Sequence, residues 1–396
     1  MAQPLAGVRI ADFSHVIAGP LATQFLCLLG AEVIKIEPPQ GDAMRYYTPR
    51  ADLRGMAEPF VGANAGKRSV VLDLKTQAGR EAARRIALGS DIVVENFRPG
   101  VAARLGLGAD ALRAEKPALI CASISGFGQD GPMRDWPAID QVIQSVSGLM
   151  GLSGEEGDAP LRIGFPIVDT YCALMAAFAI LAAWTQRLSD PEGRGQVVDV
   201  SMLDTTLVMM ASVVAPLTVS GRAPRRSGNR GFSGAPTADT FATADGEITI
   251  GAVQQAQVER LMRVLGCPEV LEDPRFATPE ARLAHDAALQ AILAERFATR
   301  PAGEWEAALA EAGVPAGKVR TLEEALDLPQ VAARDLFLDV PTGHAGLPRA
   351  RVLNAGFRFG RDGPGHARAA PTLGEHTEEV LREVGLEAPG LSPRRE

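Results

Sequence analysis

Apolar positions in the first half of the chain fall into short solid runs separated by turns. Residues 7–13 form a β-prone run, followed by the turn Ala18-Gly19-Pro20 and the helical stretch LATQFLCLLG at 21–30. A second buried run, AEVIKIE at 31–37, closes on Pro38-Pro39, which cannot continue a strand ladder. This is a βαβ unit. The alternation continues with strands expected over 69–74, 91–95 and 118–123 and a helix from Thr76. Strands alternating with helices predict an α/β fold with a parallel sheet.

Further along, 169–187 reads as a long helix rich in Ala, Leu and Met, with Asp169 at its cap or just before its first turn. A turn at 190–195, a strand over 196–200 and a single apolar helix over 202–217 follow. The Gly-, Arg-, Ser- and Pro-rich segment 220–236 breaks the pattern and reads as a linker. The expected domains are therefore 1–219, then the linker 220–236, and a smaller α+β domain over 237–320 that opens on a hairpin at 240–253. A tail over 321–396 ends in a helix at 375–384. No internal repeat is evident.

The chain has 396 residues, 46% of them apolar, which suits a packed protein and excludes wholesale disorder. Its 48 Asp and Glu outnumber 40 Lys and Arg, so a general attraction to nucleic acid is not expected. Cys27, Cys121, Cys172 and Cys267 are spaced for neither a metal site nor a redox pair. Buried reduced thiols, and with them a cytoplasmic location, are the expectation. The longest apolar stretch, 172–184, is shorter than a bilayer span, and the N-terminus carries no long apolar signal core, so neither membrane insertion nor secretion is predicted.

Three places carry candidate chemistry. No GxGxxG follows the first strand, which disfavours the usual dinucleotide enzyme, yet His15 stands on the edge where α/β sheets bind ligands. On its own it reads as a structural hydrogen bond somewhat more readily than as a ligand contact. The small residues of the loop 123–132 allow backbone N–H groups to approach an anion or a thioester oxygen, although a plain surface loop has the same composition. Asp169 reads as a helix cap or as a nucleophile, with nothing local to separate the two. Ser14, Ser125 and Ser201 lack the GxSxG elbow of an ordinary serine hydrolase, and no two histidines have metal-ligand spacing.

Taken in order, DFSHVIAGP at 12–20, GAEVIKIEPPQGD at 30–42, GKRSVVLDLK at 66–75 and VENFRPG at 94–100 resemble the class III CoA transferases. That family includes formyl-CoA and carnitine-CoA transferases and is related to the alpha-methylacyl-CoA racemases. The likeness continues through SGFGQDGP at 125–132, Asp169 and its helix, EGRGQVVDVSMLD at 192–204, GVPAGKV at 313–319 and APTLGEHTEEVL at 370–381.

The resemblance implies a Rossmann-like large domain completed by the returning segment 321–396, a smaller α+β domain, and an interlocked homodimer. It implies that Asp169 becomes acylated, and that coenzyme A is held by His15, Val16, Ala18, Lys35, Lys75, Asn96, Phe97, Arg98 and Arg104. Arg98, Arg104 and Lys75 suit its phosphates. The implied partners are an acyl-CoA and a small carboxylic acid, with no tightly bound cofactor and no metal. Backbone N–H groups near Asp169 and in the loop 125–131 would steady developing oxyanions. The racemase branch has a histidine just before the position of Asp140, where this chain has Ile139, so the proton-shuttling pair is incomplete and transfer is preferred over racemisation. A non-catalytic acyl-CoA-binding protein is the third reading. The glycine run of the formyl-CoA branch is missing, and Arg225, Arg226 and Arg230 suit either a dicarboxylate pocket or a solvated linker.

Overall fold

The computed structural model describes residues 3–366 and 368–386; the ends of the expected first and last segments, 1–2 and 387–396, lie outside the described residues. The chain divides into two units. One comprises the residues up to Met150, Arg162–Ala223 and the residues from Arg334 on, and the other comprises Gly151–Leu161 and Pro224–Ala333.

The first unit is built on β1 (Arg9–Asp12), α1 (Ala18–Leu28), β2 (Glu32–Glu37), α2 (Glu58–Asn64), β3 (Arg68–Val71), α3 (Gln77–Leu88) and β4 (Ile92–Glu95). It continues with α4 (Val101–Arg104), α5 (Ala109–Glu115), β5 (Ile120–Ser125), α6 (Asp140–Val146), α7 (Ile167–Ser189), β6 (Val197–Ser201), α8 (Met202–Met209) and α9 (Ala211–Ser220). Six parallel strands lie in the order β3-β2-β1-β4-β5-β6.

Both faces of this sheet are covered, which explains why its strands read as continuous apolar runs. Successive side chains point to opposite faces. Ile10, Val33, Ile92, Val94 and Ile120 join a core with α1 and α7, whereas Ala11, Ile34, Val93 and Cys121 join a core with α3. The helix α7 runs for 23 residues and is long and apolar enough to cross a membrane by length and composition alone; the expected stretch was shorter. One of its faces, including Cys172, Ala173, Ala176 and Ile180, is buried in the core shared with α1.

The expected single helix over 202–217 is instead two, α8 and α9, bent by 81°. Met210 takes φ −88° and ψ 17°, and its carbonyl accepts from both Val213 and Val214, which turns the chain between them.

In the second unit, β7 (Thr240–Ala242), β8 (Glu247–Ile250) and β9 (Ala316–Lys318) form a small antiparallel sheet. Helices α10 (Gln255–Val264), α11 (Pro279–Ala284), α12 (Asp286–Phe297) and α13 (Ala302–Glu311) accompany it, with α14 (Leu322–Leu326) and α15 (Pro329–Ala333) following. Its core centres on Phe241, Ile248, Leu261, Phe297 and Trp305.

The chain then returns to the first unit with a hairpin, β10 (Phe337–His344) and β11 (Leu347–Leu353), which the sequence reading did not anticipate. The segment leading into α16 (Thr377–Glu383) runs along the outer edge of β3. There the His376 N–H donates to the Ser69 carbonyl at 2.9 Å, and the Ser69 and Val71 N–H groups donate to His376 Nδ1 and Thr377 Oγ1.

Candidate active site

The order 3-2-1-4-5-6 reverses direction between β1 and β4, and loops leaving such neighbouring strands open a crevice at the carboxyl edge of the sheet. In this chain those loops are residues 13–17 and 96–100. A cavity of about 430 Å³ lies there, walled by His15 to Ala18 from the first loop and Asn96 to Pro99 from the second. Ser125, Gly126, Asp140, Arg162 and Asp169 complete much of the remaining wall. The cations facing it are Arg98, Arg134 and Arg162.

Asp169 is the third residue of α7, not its cap, because the helix begins at Ile167 with Pro166 before it. The capping is done from a distance. Asp140 Oδ2 accepts from the Val168 N–H at 2.8 Å and the Asp169 N–H at 3.1 Å. The other oxygen of Asp140 accepts from Gln144 Nε2 at 2.7 Å, and Gln144 Oε1 accepts from the Ile163 N–H at 2.9 Å. Gln144 is completely buried, so this relay fixes where α7 starts and where Asp169 stands.

Among the described residues the Asp169 carboxylate meets no cation and no hydrogen-bond donor. Burial, followed by the Asp140 charge, pushes it up from 3.8 to about 7. A carboxylate so placed is partly dry, weakly stabilised and correspondingly basic, which suits a nucleophile.

The sequence matches the profile of CoA-transferase family III over residues 5–377. It is 36% identical over 381 residues to an acetyl-CoA:oxalate CoA-transferase of Acetobacter aceti, covering 96% of this chain and 95% of that one. It is 34% identical over 388 residues to a succinate–glutarate CoA-transferase of Agrobacterium fabrum, covering 96% of each. The crystal structure of a CAIB/BAIF family protein from Brucella suis superimposes with a TM-score of 0.87 at 35% identity, covering 97% of this chain and 100% of that one. The chain belongs to CoA-transferase family III. It is an enzyme of that class.

Within this family III enzyme the expected residues part into two groups. His15, Val16, Ala18, Asn96, Phe97, Arg98 and Asp169 all face the one cavity. Lys35, Lys75 and Arg104 are not part of its wall. Lys75 and Arg104 are exposed on the surface. Lys35 is completely buried, donating to the Ser14 carbonyl at 2.8 Å and paired with Asp42 at 2.9 Å. His15 and Phe97 lie with ring centroids 6.1 Å apart. Burial, then the Lys35 charge, holds His15 below its usual range, so the ring is neutral at physiological pH.

Several of the oxyanion donors expected from the sequence are committed elsewhere. The Val168 and Asp169 N–H groups go to Asp140 and that of Thr170 to the Pro166 carbonyl. In the loop 125–131, the Gly128 N–H donates to Ser125 Oγ and the Gln129 N–H to Asp199. Arg226 and Arg230 are likewise occupied within their own unit. Arg226 donates to the Gly151 and Asp158 carbonyls, and Arg230 pairs with Asp239 at 3.0 Å and Asp286 at 2.9 Å.

Sequence reading missed Asp140 as an active participant, along with Arg134 and Arg162. The only signal was proximity: Asp140 was noted beside Ile139, but nothing local shows a cap for a helix 27 residues downstream.

Proposed function

We propose that this enzyme moves coenzyme A from an acyl-CoA to a carboxylic acid through covalent chemistry on Asp169, with the cavity at the strand switch as the acyl-CoA site. The carrying observation is an unpaired, raised carboxylate on that cavity wall. An Asp169 oxygen attacks the thioester carbonyl, the C–S bond breaks, and a mixed anhydride and CoA thiolate result. The thiolate attacks the aspartyl carbonyl and releases the donor acid, leaving an aspartyl-CoA thioester. An acceptor carboxylate attacks the same carbonyl and expels the thiolate, which then takes the acceptor acyl group and regenerates Asp169. One thioester is made for each one broken, so no ATP is consumed.

The acceptor class we favour is a dicarboxylate, such as succinate, mesaconate, itaconate or a citramalate. The two relatives are named for reactions of a dicarboxylic acid, and Arg134 and Arg162 give the cavity cationic groups beyond Arg98. Racemisation is disfavoured because Ile139 lines the cavity where a proton carrier would be needed.

The same reading includes a cytoplasmic homodimer, with a large domain completed by the returning chain. Support comes from apolar side chains left exposed on neighbouring helices, among them Leu174 and Phe178 of α7, Val208 of α8 and Val219 of α9.

Mass spectrometry of the protein with acyl-CoA donors crossed against mono- and dicarboxylate acceptors tests the chemistry. New CoA esters together with a CoA adduct on the peptide bearing Asp169 are expected. Full turnover by Asp169→Ala would refute the covalent route.

A further inference from the structure

The cavity wall from His15 to Ala18 is held by a buried network out of all proportion to its length. The Ser14 N–H donates to Asp12 Oδ1 at 3.0 Å and the Ser14 carbonyl accepts from Lys35 Nζ at 2.8 Å. Asn96 grips both polar groups of His15, accepting from its N–H and donating to its carbonyl, each at 2.8 Å. The Val16 N–H lies 3.2 Å from both oxygens of Asp42. Five consecutive backbone groups are therefore satisfied by four side chains that follow or belong to β1, β2 and β4, with no ladder or helix bond among them.

What this network holds is a strained turn. Val16 has φ +68°, a left-handed conformation that a β-branched residue adopts only when its surroundings impose it. The next element presses on the same turn, since a Cβ on Gly19 would stand 2.1 Å from that of Ser14. Lys35 and Asp42 are themselves almost completely buried, and Asp42 is fixed further by accepting from the Met44 N–H at 3.0 Å.

We propose that Lys35, Asp42 and Asn96 are positioning residues that lock the His15–Val16 turn in its strained conformation before substrate arrives, so that Lys35 serves the reaction without touching coenzyme A. The ammonium cannot reach the cavity, because its donors go to the Ser14 carbonyl and Asp42. Its influence passes through the turn. Strain stored in a wall residue is useful there, because a wall that does not reorganise keeps the thioester aligned with Asp169.

This inference rests on reading the cavity as the acyl-CoA site, and its tests separate the two. Hydrogen exchange of the unliganded wild-type protein needs no substrate: the His15 and Val16 amides should exchange as slowly as those inside α1. Exchange within seconds overturns the proposal.

Lys35→Met should lower kcat by about 10²-fold while leaving the Kd of free coenzyme A, measured by titration, within about threefold of wild type. Weakened coenzyme A binding with kcat intact would make Lys35 a ligand after all and overturn it. Val16→Asn supplies a residue that tolerates the left-handed region, so the double variant should regain about tenfold of the lost kcat. Simple addition of the two losses counts against the proposal. Should Lys35→Met fail to fold, Asp42→Asn, at a position that is likewise not part of the cavity wall, gives the same readouts with the same expected rescue. Failure of the wild type to bind any CoA ester would remove the functional reading, and the exchange measurement alone would then decide the turn.

Discussion

Near the carboxyl edge of one sheet, three fully buried carboxylates and the half-buried Asp169 are treated in opposite ways. Beneath the His15–Val16 turn, Asp12, Glu37 and Asp42 each meet a cation: Lys67 at 3.1 Å, Arg45 at 2.7 Å and Lys35 at 2.9 Å. Burial alone would raise Asp12 and Glu37. Lys67 and Lys35, with the hydroxyls of Ser14 and Thr23, nevertheless hold Asp12 at about 2, and Arg45, Lys35 and Ser69 hold Glu37 at about 2. Asp169 has no such partner and stands at about 7, raised by burial and by the charge of another carboxylate, Asp140. The contrast teaches that burial does not decide a carboxylate's role; pairing does. The three paired with cations build the scaffold, and Asp169, with neither cation nor hydrogen-bond donor on its carboxylate, is the one poised to react in the proposed mechanism.

Removing the unpaired carboxylate should have the largest effect. Asp169→Ala is expected to lower turnover by at least ~10⁴-fold with the Tm unchanged or raised; a loss below tenfold in single-turnover assays would mean the chemistry lies elsewhere. Breaking a pair should do the reverse. Lys67→Met strands Asp12 in the interior and should cost ~3–5 kcal/mol in urea unfolding. An unchanged midpoint would show that the two regions do not differ as described.

The pH dependences should also have opposite signs. The folded value of Asp169 lies above its unfolded 3.8, so its stabilisation is full below about 3.8 and is lost as pH rises through about 7. Asp169→Asn should therefore be the more stable protein at pH 8, by ~2 kcal/mol, roughly half of what a fully dry group would give. Asp12 and Glu37 have folded values below their unfolded ones, so their contribution is present above pH ~4.5 and lost as pH falls towards 2. Acid unfolding of wild type should fall in that window.

In activity, kcat/KM should rise with pH around 7, because Asp169 must be ionised to attack. Asp140→Asn removes the neighbouring charge while keeping an oxygen for the Val168 N–H, and should shift that rise to lower pH; an unmoved profile would free Asp140 of any electrostatic role. The smallest change is expected at the cavity rim. Arg162→Ala should raise the KM for a dicarboxylate acceptor by ~5-fold and leave a monocarboxylate unaffected; equal effects on both would deny Arg162 any part in acceptor choice.

Local pattern made much of the frame legible. The βαβ start, the strand near 91–95 and the long helix at Asp169 follow from apolar runs closed by Pro, Gly and polar turns. The bend at Met210 was not legible, because MLDTTLVM and ASVVAPLTVS are both helix-like and no breaker stands between them. Nor was the hairpin β10 to β11, whose strands carry Pro341, Gly343 and Pro348 among mixed side chains. In the site, motif likeness brought seven of the expected residues to one wall. It also named Lys35, whose burial beneath the wall is a property of the assembled sheet and invisible in the run VIKIE. Asp140 escaped for the same reason: a cap contributed from another element leaves no trace at the helix it serves.

The covering of β3 by the segment entering α16 also bears on how the chain comes to be made. Ser69 and Val71 receive their last hydrogen-bond partners from His376 and Thr377, some 300 residues later in the chain. While the ribosome is still at work, the open edge of a six-stranded parallel sheet has nothing to close it, and such edges pair readily with other chains. A product that stops short of this segment would leave the outer edge of β3 open to pairing with other chains.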